Sequence, residues 1–184
     1  MKDIIIGIDA GTSVVKSIAF SLDGEQLAVA SIPNVYSTLD NGGVEQDLDD
    51  TWNNTLRTLV SLHEQIDHLA TRVAAIAVTG QGDGTWLIDK DGRPVCPAWL
   101  WLDARSGQLA KQLSAAESDS ERFRITGTGL NACQQGSQLL WMKRHQAQVL
   151  DRSETAFHCK DWLYFNLTGE RVTDPSEGSF TFGD

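Results

Sequence analysis

The spacing of hydrophobic and polar residues predicts a sheet at the start of the chain. An apolar run over residues 4–9 predicts one strand, and alternating positions over 14–21 predict a second. A third strand is predicted at roughly 26–32, and Asp23-Gly24 before it is typical of a hairpin turn. The first part of the chain therefore predicts three antiparallel strands.

A helix and a further strand follow in the pattern. Carboxylates between Asp47 and Asp50 suit a helix N-terminus. The run 73–79 has few polar interruptions and predicts a buried strand of the parallel kind. The helix between them has apolar residues at helical spacing, which are Trp52, Leu56, Leu59, Val60, Leu62 and Ile66.

The second half of the chain predicts mostly helices after one more hairpin, which turns at residues 89–92. The helices are expected at about 103–115, 118–125, 134–147 and 160–167. This order of elements predicts a mixed α/β domain. The last residues, 182–184, follow no closing helix or strand, which favours a fragment of a longer protein.

Composition narrows the classes of function. The chain has 184 residues, of which 41% are hydrophobic, as is typical of a globular protein. Its formal net charge is -10, so the composition offers no basic patch that would bind nucleic acid or a membrane surface. No stretch is long enough to predict a membrane span. The 3 cysteines are unpaired in spacing and predict free thiols in a reducing cytoplasm. The 4 histidines have no spacing that predicts a catalytic triad.

The first two strands enclose the most informative segment. Asp9 ends the first strand, Gly11 permits a tight turn, and Thr12, Ser13 and Lys16 add hydroxyl and ammonium donors. Turn N–H groups can point at phosphate oxygens, and a carboxylate at this place can hold hydrated Mg²⁺. The alternative is an ordinary hairpin whose Asp starts the turn, and the spacing alone favours the two readings equally.

A second group of candidates follows the run 73–79. Gln81 and Asp83 stand on a glycine-flanked loop, and α/β proteins often bind ligands at such strand ends. Polyols need hydrogen-bonding groups of this kind because each hydroxyl both donates and accepts. The alternative for Asp83 is a turn carboxylate that caps local N–H groups. Trp86, Trp99 and Trp101 lie nearby, and any one of them could stack on a polyol or belong to the core.

Five segments together resemble the FGGY carbohydrate kinases. Each is short, but they occur in the family's order and cover nearly the whole chain. They are the phosphate motif at 7–13 with Lys16, the "GQ" loop at 78–82, the W-x-D-x-R element at 101–105, the K-D-x-L element at 160–163 with L-T-G at 167–169, and the loop at 173–179.

This resemblance implies an α/β fold of the RNase H-like, actin/hexokinase type, in an enzyme that closes over ATP, Mg²⁺ and a sugar or polyol. Residues 1–184 would form the N-terminal domain, which is incomplete. The C-terminal domain that supplies the adenine pocket and the general base would lie outside this chain, so the chain by itself would be inactive. Members of the family are often homodimers, although no surface pattern here predicts one.

The resemblance also implies roles for residues. Asp9 would hold Mg²⁺, and Gly11, Thr12, Ser13 and Lys16 would hold the ATP phosphates. The substrate would contact Gln81, Asp83, Asp103 and Gln134. The alternatives for Asp103 are to cap the following helix or to orient the loop through Arg105.

Within the family, residues 78–85, 126–131 and 158–163 are most similar to the branch that phosphorylates erythritol. Xylulose, ribulose and glycerol kinases tend to have His or Glu at the position of Asp83. The glycerol branch has an aromatic residue near Gln134, and its absence here argues against glycerol. The open alternatives are a kinase of those other branches, a non-catalytic nucleotide-binding scaffold of the same fold, and a small sugar-binding module.

Overall fold

The structure, a computed structural model, describes residues 2–116 and 118–181, with Phe180 described by its backbone alone. Residues 182–184, where no closing element was predicted, lie outside the described residues. In chain order the elements are β1 (Ile4–Ala10), β2 (Val14–Ser21), β3 (Gln26–Pro33), β4 (Ser37–Thr38), β5 (Val44–Gln46), α1 (Leu48–Gln65), α2 (Leu69–Arg72), β6 (Val73–Gly80), β7 (Trp86–Ile88), β8 (Ala98–Trp99), α3 (Gly107–Ser114), α4 (Asp119–Thr126), α5 (Gln135–His145), α6 (Ala147–Leu150), β9 (Thr155–Phe157), α7 (Cys159–Thr168) and α8 (Pro175–Thr181).

These elements form two compact units. The first contains residues Met1–Tyr36 and Asp49–Gln81, and the second contains Ser37–Leu48 and Gly82–Asp184. The predicted mixed α/β character is confirmed, because the first unit is a sheet with two helices and the second is mainly helical with short strands.

The first unit is a four-stranded sheet in the order β3-β2-β1-β6. Strands β1, β2 and β3 are antiparallel neighbours, as predicted, and β6 pairs with β1 in parallel. Alternate residues of β1 and β2 point to one face and are buried, namely Ile4, Ile6, Ile8, Ala10, Val15, Ser17 and Ala19. For β2, this alternation is the sequence pattern that predicted the strand.

One expectation for the first unit is wrong. β6 was predicted to be a buried strand, but it lies at the end of the sheet order and residues 74–77 are exposed. In α1 the buried residues of this unit are Thr51, Thr55, Thr58 and Leu62, while Leu56 and Val60, which belong to the apolar spacing that predicted the helix, are exposed.

The reason that threonines fill this face is that their hydroxyls find partners. Thr55 Oγ1 donates to Thr51 O at 2.9 Å, and Thr58 Oγ1 to Thr55 O at 2.7 Å. The Ser17 and Thr58 hydroxyls are also 2.7 Å apart between sheet and helix. A buried hydroxyl that is hydrogen-bonded loses little on leaving water, so small polar residues can replace the expected apolar ones.

The second unit packs helices around short strands. β5 pairs with β4 and β8, and β7 pairs with β9. A cluster of buried residues at its centre comprises Leu87, Trp99, Met142 and Val149. Helix α7 begins after His158, whose backbone and side chain form a capping box with Asp161. It ends at Gly169 with φ 80°, a left-handed cap that glycine adopts without strain.

Candidate functional site

In the first unit, the turn between β1 and β2 places four predicted phosphate-site residues together. Asp9 on β1 lies directly opposite Lys16 on β2, and Thr79 on β6 lies on the other side of Asp9. Opposed residues of neighbouring strands share one face of a sheet, and all three of these are exposed. The turn residues Gly11, Thr12 and Ser13 follow immediately. The arrangement presents a carboxylate, an ammonium group and hydroxyls at one edge of the sheet.

Gln81 belongs to this same cluster. Its backbone N–H donates to Ala10 O at 3.0 Å, and Thr12 Oγ1 donates to its side-chain oxygen at 3.0 Å. Gln81 is 9% exposed. The sequence predicted a substrate contact for Gln81, and the structure adds that its amide oxygen is hydrogen-bonded to Thr12 in the turn after β1.

Asn34 fixes the turn and was missed by the sequence reasoning, which assigned it to an irregular segment. Its backbone N–H donates to Ser13 O at 2.8 Å, and its side-chain amide donates to Gly11 O at 3.2 Å. Asn34 is 4% exposed. The only available signal was an amide residue directly after a strand, which is too common to single out.

In the second unit, Asp83 has unusual geometry. Its φ is 55°, a left-handed conformation that residues other than glycine adopt at a cost. Its Oδ2 accepts a hydrogen bond from Cys133 Sγ at 3.3 Å, while Oδ1 is buried without a hydrogen-bond partner. Buried polar atoms are nearly always paired, so a strained residue with an unpaired oxygen marks a candidate ligand site.

Cys133 is suited to be the donor in this pair. Burial is the main cause that raises the pKa of the Cys133 thiol to about 12. The negative charge of Asp83 and the hydrogen bond to Asp83 act in the same direction. The thiol therefore remains protonated at neutral pH and donates to the carboxylate. As predicted, all 3 cysteines are free thiols.

The loop around Asp83 is rigidly attached to its surroundings. Gly84 has φ 81°, its N–H donates to Cys133 O at 2.9 Å, and a Cβ at Gly84 would lie 2.5 Å from Trp99 O. Thr85 Oγ1 donates to Gln138 Oε1 on α5 at 2.7 Å. Only glycine fits position 84, so the backbone after Asp83 has one available path.

Asp103 is enclosed by the protein. It is 1% exposed, and its carboxylate accepts hydrogen bonds from the Val44 N–H at 2.8 Å and from the Arg105 guanidinium at 2.6 and 3.0 Å. Arg105 also pairs with Glu45 at 2.9 Å and lies 3.3 Å from the centre of the Trp99 ring. This geometry fits the loop-orienting alternative for Asp103 better than a substrate contact.

Gln134 lies against a cavity of about 320 Å³. Its side-chain oxygen accepts the Asn131 N–H at 3.0 Å, and its amide nitrogen donates to Thr128 Oγ1 at 3.3 Å. Both ends of the amide thus hold the loop before α5, and its role as a substrate contact stays a prediction. Among the nearby tryptophans, Trp101 is 47% exposed, while Trp86 and Trp99 belong to the core.

Two further observations concern metals and membranes. Among residues 2–116 and 118–181, no three His, Cys, Asp or Glu side chains come together as a metal cluster. In the same described ranges, no helix is both long and apolar enough to cross a membrane.

The architecture is that of the actin/hexokinase-like ATPases, and solved sugar kinases share it. The crystal structure of a "xyloylose kinase" from Brucella ovis superposes with a TM-score of 0.91 at 28% identity, over 97% of this chain and 36% of that one. The xylulose kinase of Rhodospirillum rubrum gives 0.86 at 32% identity, over 93% of this chain and 36% of that one.

Sequence comparison identifies the family. Residues 4–182 match the N-terminal domain of the FGGY family of carbohydrate kinases, and the chain belongs to this family. It is 56% identical to the erythritol kinase of Brucella abortus (strain 2308), over 99% of this chain and 35% of that protein. It is 33% identical to the xylulose kinase of Escherichia coli (strain K12), over 96% of this chain and 36% of that protein. The chain thus spans about a third of the length of these relatives.

Proposed function

We propose that this chain is the N-terminal part of a kinase that transfers the terminal phosphoryl group of ATP to a small polyol, erythritol or a related C4–C5 polyol. The proposal is supported by the 56% identity to an erythritol kinase over nearly the whole chain. Family membership alone would leave the substrate open, so the assignment to a polyol depends on the site.

The observation that carries the polyol assignment is Asp83. Its carboxylate has one oxygen bonded to the Cys133 thiol and one without a hydrogen-bond partner, on a loop that glycine holds in a single path. A neutral polyol supplies hydroxyl donors, which a carboxylate accepts strongly. Asp83 would therefore hold a substrate hydroxyl, and its strained backbone would keep the carboxylate in the binding orientation.

The turn after β1 would receive the ATP phosphates. Backbone N–H groups of Gly11, Thr12 and Ser13 would donate to phosphate oxygens, and Lys16 would offset the negative charge. Thr12 has a second task, because its hydroxyl donates to Gln81 and so keeps that side chain beside the turn.

Asp9 fits a site for Mg²⁺. Its carboxylate is a hard oxygen donor at the edge of the sheet, and a lone carboxylate suits a cation that keeps most of its waters. Bound there with ATP, the ion would neutralise charge on the transferring phosphoryl group. The general base that accepts the hydroxyl proton would come from the remainder of the protein, since none of the described residues is assigned to it.

The test is an ADP-release assay on the full-length protein in which this chain is the N-terminal part, with Mg²⁺-ATP and a panel of erythritol, glycerol, ribitol, D-xylulose, L-xylulose and L-ribulose. Selective turnover of erythritol or another polyol is the expected result. Preference for a ketose would move the assignment to the xylulose or ribulose type. ATP binding without turnover of any compound would contradict the kinase and favour a nucleotide-binding scaffold.

A further inference from the structure

A buried glutamine on α5 joins two loops of the second unit. Gln138 is 0% exposed, and its side-chain amide is hydrogen-bonded at both ends. Its Oε1 accepts from Thr85 Oγ1 at 2.7 Å, and its Nε2 donates to Leu100 O at 3.1 Å. We call these two hydrogen bonds the Gln138 bridge. Hydropathy gives an amide side chain no preference for a buried position, so Gln138 was not among the residues that the sequence singled out.

The partners of this amide fix its orientation. A backbone carbonyl such as that of Leu100 can only accept, so it must face the NH2 group of Gln138. The Gln138 oxygen then faces Thr85, whose hydroxyl must donate. An apolar side chain in place of Thr85 would therefore break one hydrogen bond of the bridge, and an apolar side chain in place of Gln138 would break both.

One end of the bridge lies next to the loop that carries Asp83. Thr85 follows Asp83 by two residues, and its backbone exchanges hydrogen bonds with Trp99 at 2.8 and 3.0 Å. Between them, Gly84 packs so closely that an added Cβ would lie 3.4 Å from the Leu100 Cα. The left-handed backbone of Asp83 requires such fixed surroundings, because this conformation is costly and persists only where neighbouring groups hold it.

The other end of the bridge lies next to Trp101. The Leu100 carbonyl belongs to the peptide group that leads into Trp101, and it also accepts the Asp103 N–H at 3.0 Å. This second bond closes a turn over residues 100–103, on which Trp101 is 47% exposed. A carboxylate and an aromatic ring on two adjoining loops suit a polyol, because hydroxyls donate to the carboxylate while C–H groups pack on the ring.

We propose that Gln138 is a positioning residue for the polyol site: its bridge sets the spacing between the Asp83 carboxylate and the Trp101 ring, so that one substrate molecule contacts both. The roles of Asp83 and Trp101 rest on the proposed function, whereas the bridge between their loops does not. Gln138 is fully buried, so it acts on the substrate only through these two loops. A small displacement of either group would weaken binding, because a polyol of four or five carbons cannot span a wider gap.

The first experiment tests the bridge without any substrate. The full-length protein is labelled with 5-fluorotryptophan, and the ¹⁹F NMR resonance of Trp101 is assigned by its loss in Trp101→Phe. Gln138→Met keeps the length of the side chain but has neither the donor nor the acceptor, so the Trp101 resonance should shift. Ser153→Ala is the control, because it removes a hydrogen bond of 2.9 Å to Val149 O elsewhere in the second unit, and it should leave this resonance in place. An unmoved Trp101 resonance in Gln138→Met would overturn the proposal.

The second experiment measures the consequence for each substrate of the full-length protein. Gln138→Met should raise KM for the polyol about tenfold or more, with KM for ATP within about twofold of the wild type. Thr85→Val breaks one hydrogen bond of the bridge and should raise the polyol KM about two- to tenfold, while Thr85→Ser keeps the hydroxyl and should stay within about twofold. Equal losses for both substrates, or a serine variant as impaired as the valine variant, would assign these residues to the fold alone and overturn the positioning role.

A double-mutant cycle then asks whether Gln138 acts through Asp83. Gln138→Met should raise the polyol KM much less in an Asp83→Asn background than in the wild type, because the contact that Gln138 positions is already weakened there. Fully additive effects would overturn the proposal. A wild type that turns over no polyol would contradict the proposed kinase, while the Trp101 resonance would still decide whether Gln138 positions this loop.

Discussion

Replacing Asp83 with asparagine should weaken polyol binding and increase the stability of the fold. Both properties depend on the same carboxylate oxygen, the one without a hydrogen-bond partner. Asp83→Asn keeps the size of the side chain, and asparagine tolerates the φ of 55° that this position requires. The substitution removes the negative charge and turns one of the two acceptor atoms into a donor. The amide oxygen can still accept from the Cys133 thiol, so the other position is the one that changes.

The expected effects have opposite signs. A hydrogen bond to a charged group contributes about 1.5–3 kcal/mol, so KM for the polyol should rise about 10- to 150-fold. KM for ATP should not change. The folded state should become more stable by about 1 kcal/mol, since at this buried, unpaired position a neutral amide group costs less to remove from water than a charged carboxylate, and this would raise Tm by about 2–4 °C for a chain of this size.

The assays are steady-state kinetics of the full-length protein with each substrate varied, and thermal unfolding followed by circular dichroism. Asp83→Ala is the matched comparison: it also loses the carboxylate, but alanine in a left-handed conformation costs about 1–2 kcal/mol, so its Tm should fall. A polyol KM within about twofold of the wild type in Asp83→Asn would refute the assignment of this carboxylate to the substrate. A lowered Tm in Asp83→Asn would refute the claim that the unpaired carboxylate oxygen of Asp83 destabilises the ligand-free protein.

Three further substitutions test the rest of the site. Gly84→Ala places a Cβ 2.5 Å from Trp99 O at a φ of 81°, so urea denaturation should show a loss of about 3 kcal/mol or more, and a loss below about 1 kcal/mol would contradict the fixed path of the loop. Asn34→Ala leaves the Gly11 carbonyl without its side-chain donor, and it should cost about 1–3 kcal/mol and raise KM for ATP in the full-length protein; an unchanged KM would show that the turn is held without it. Asp9→Asn should raise the Mg²⁺ concentration needed for half-maximal activity about 10- to 100-fold, and an unaltered Mg²⁺ titration would remove Asp9 from the metal site.

Local patterns were sufficient to predict much of the fold. The alternation over 14–21 predicted β2, and the structure buries one of its two alternating sets, Val15, Ser17 and Ala19, because side chains of a strand alternate between faces whatever lies beyond them. The Gly turn at residues 11–13 follows from its residue types in the same way. The helices of the second half occur near their predicted positions, with ends displaced by a few residues.

Burial could not be predicted where it depends on neighbours. β6 is an apolar run, yet it lies at the end of the described sheet, and only the sheet order decides that. The face of α1 that is buried carries Thr51, Thr55 and Thr58, and the hydroxyls of Thr55 and Thr58 find acceptors in the preceding turn of the helix. A hydropathy pattern gives these residues no preference for the core.

For the candidate site, the sequence by itself determined the chemical types and their order along the chain: a carboxylate, a glycine turn, hydroxyls and a lysine, and later a carboxylate on a glycine-flanked loop. Only the tertiary structure decided which partners each group has. It pairs the Asp103 carboxylate with Arg105, bonds one oxygen of Asp83 to the Cys133 thiol and leaves the other without a hydrogen-bond partner. The physical reason is that residue types fix what a group can bond, whereas pairing and desolvation depend on side chains up to 69 positions away, the separation of Thr12 and Gln81.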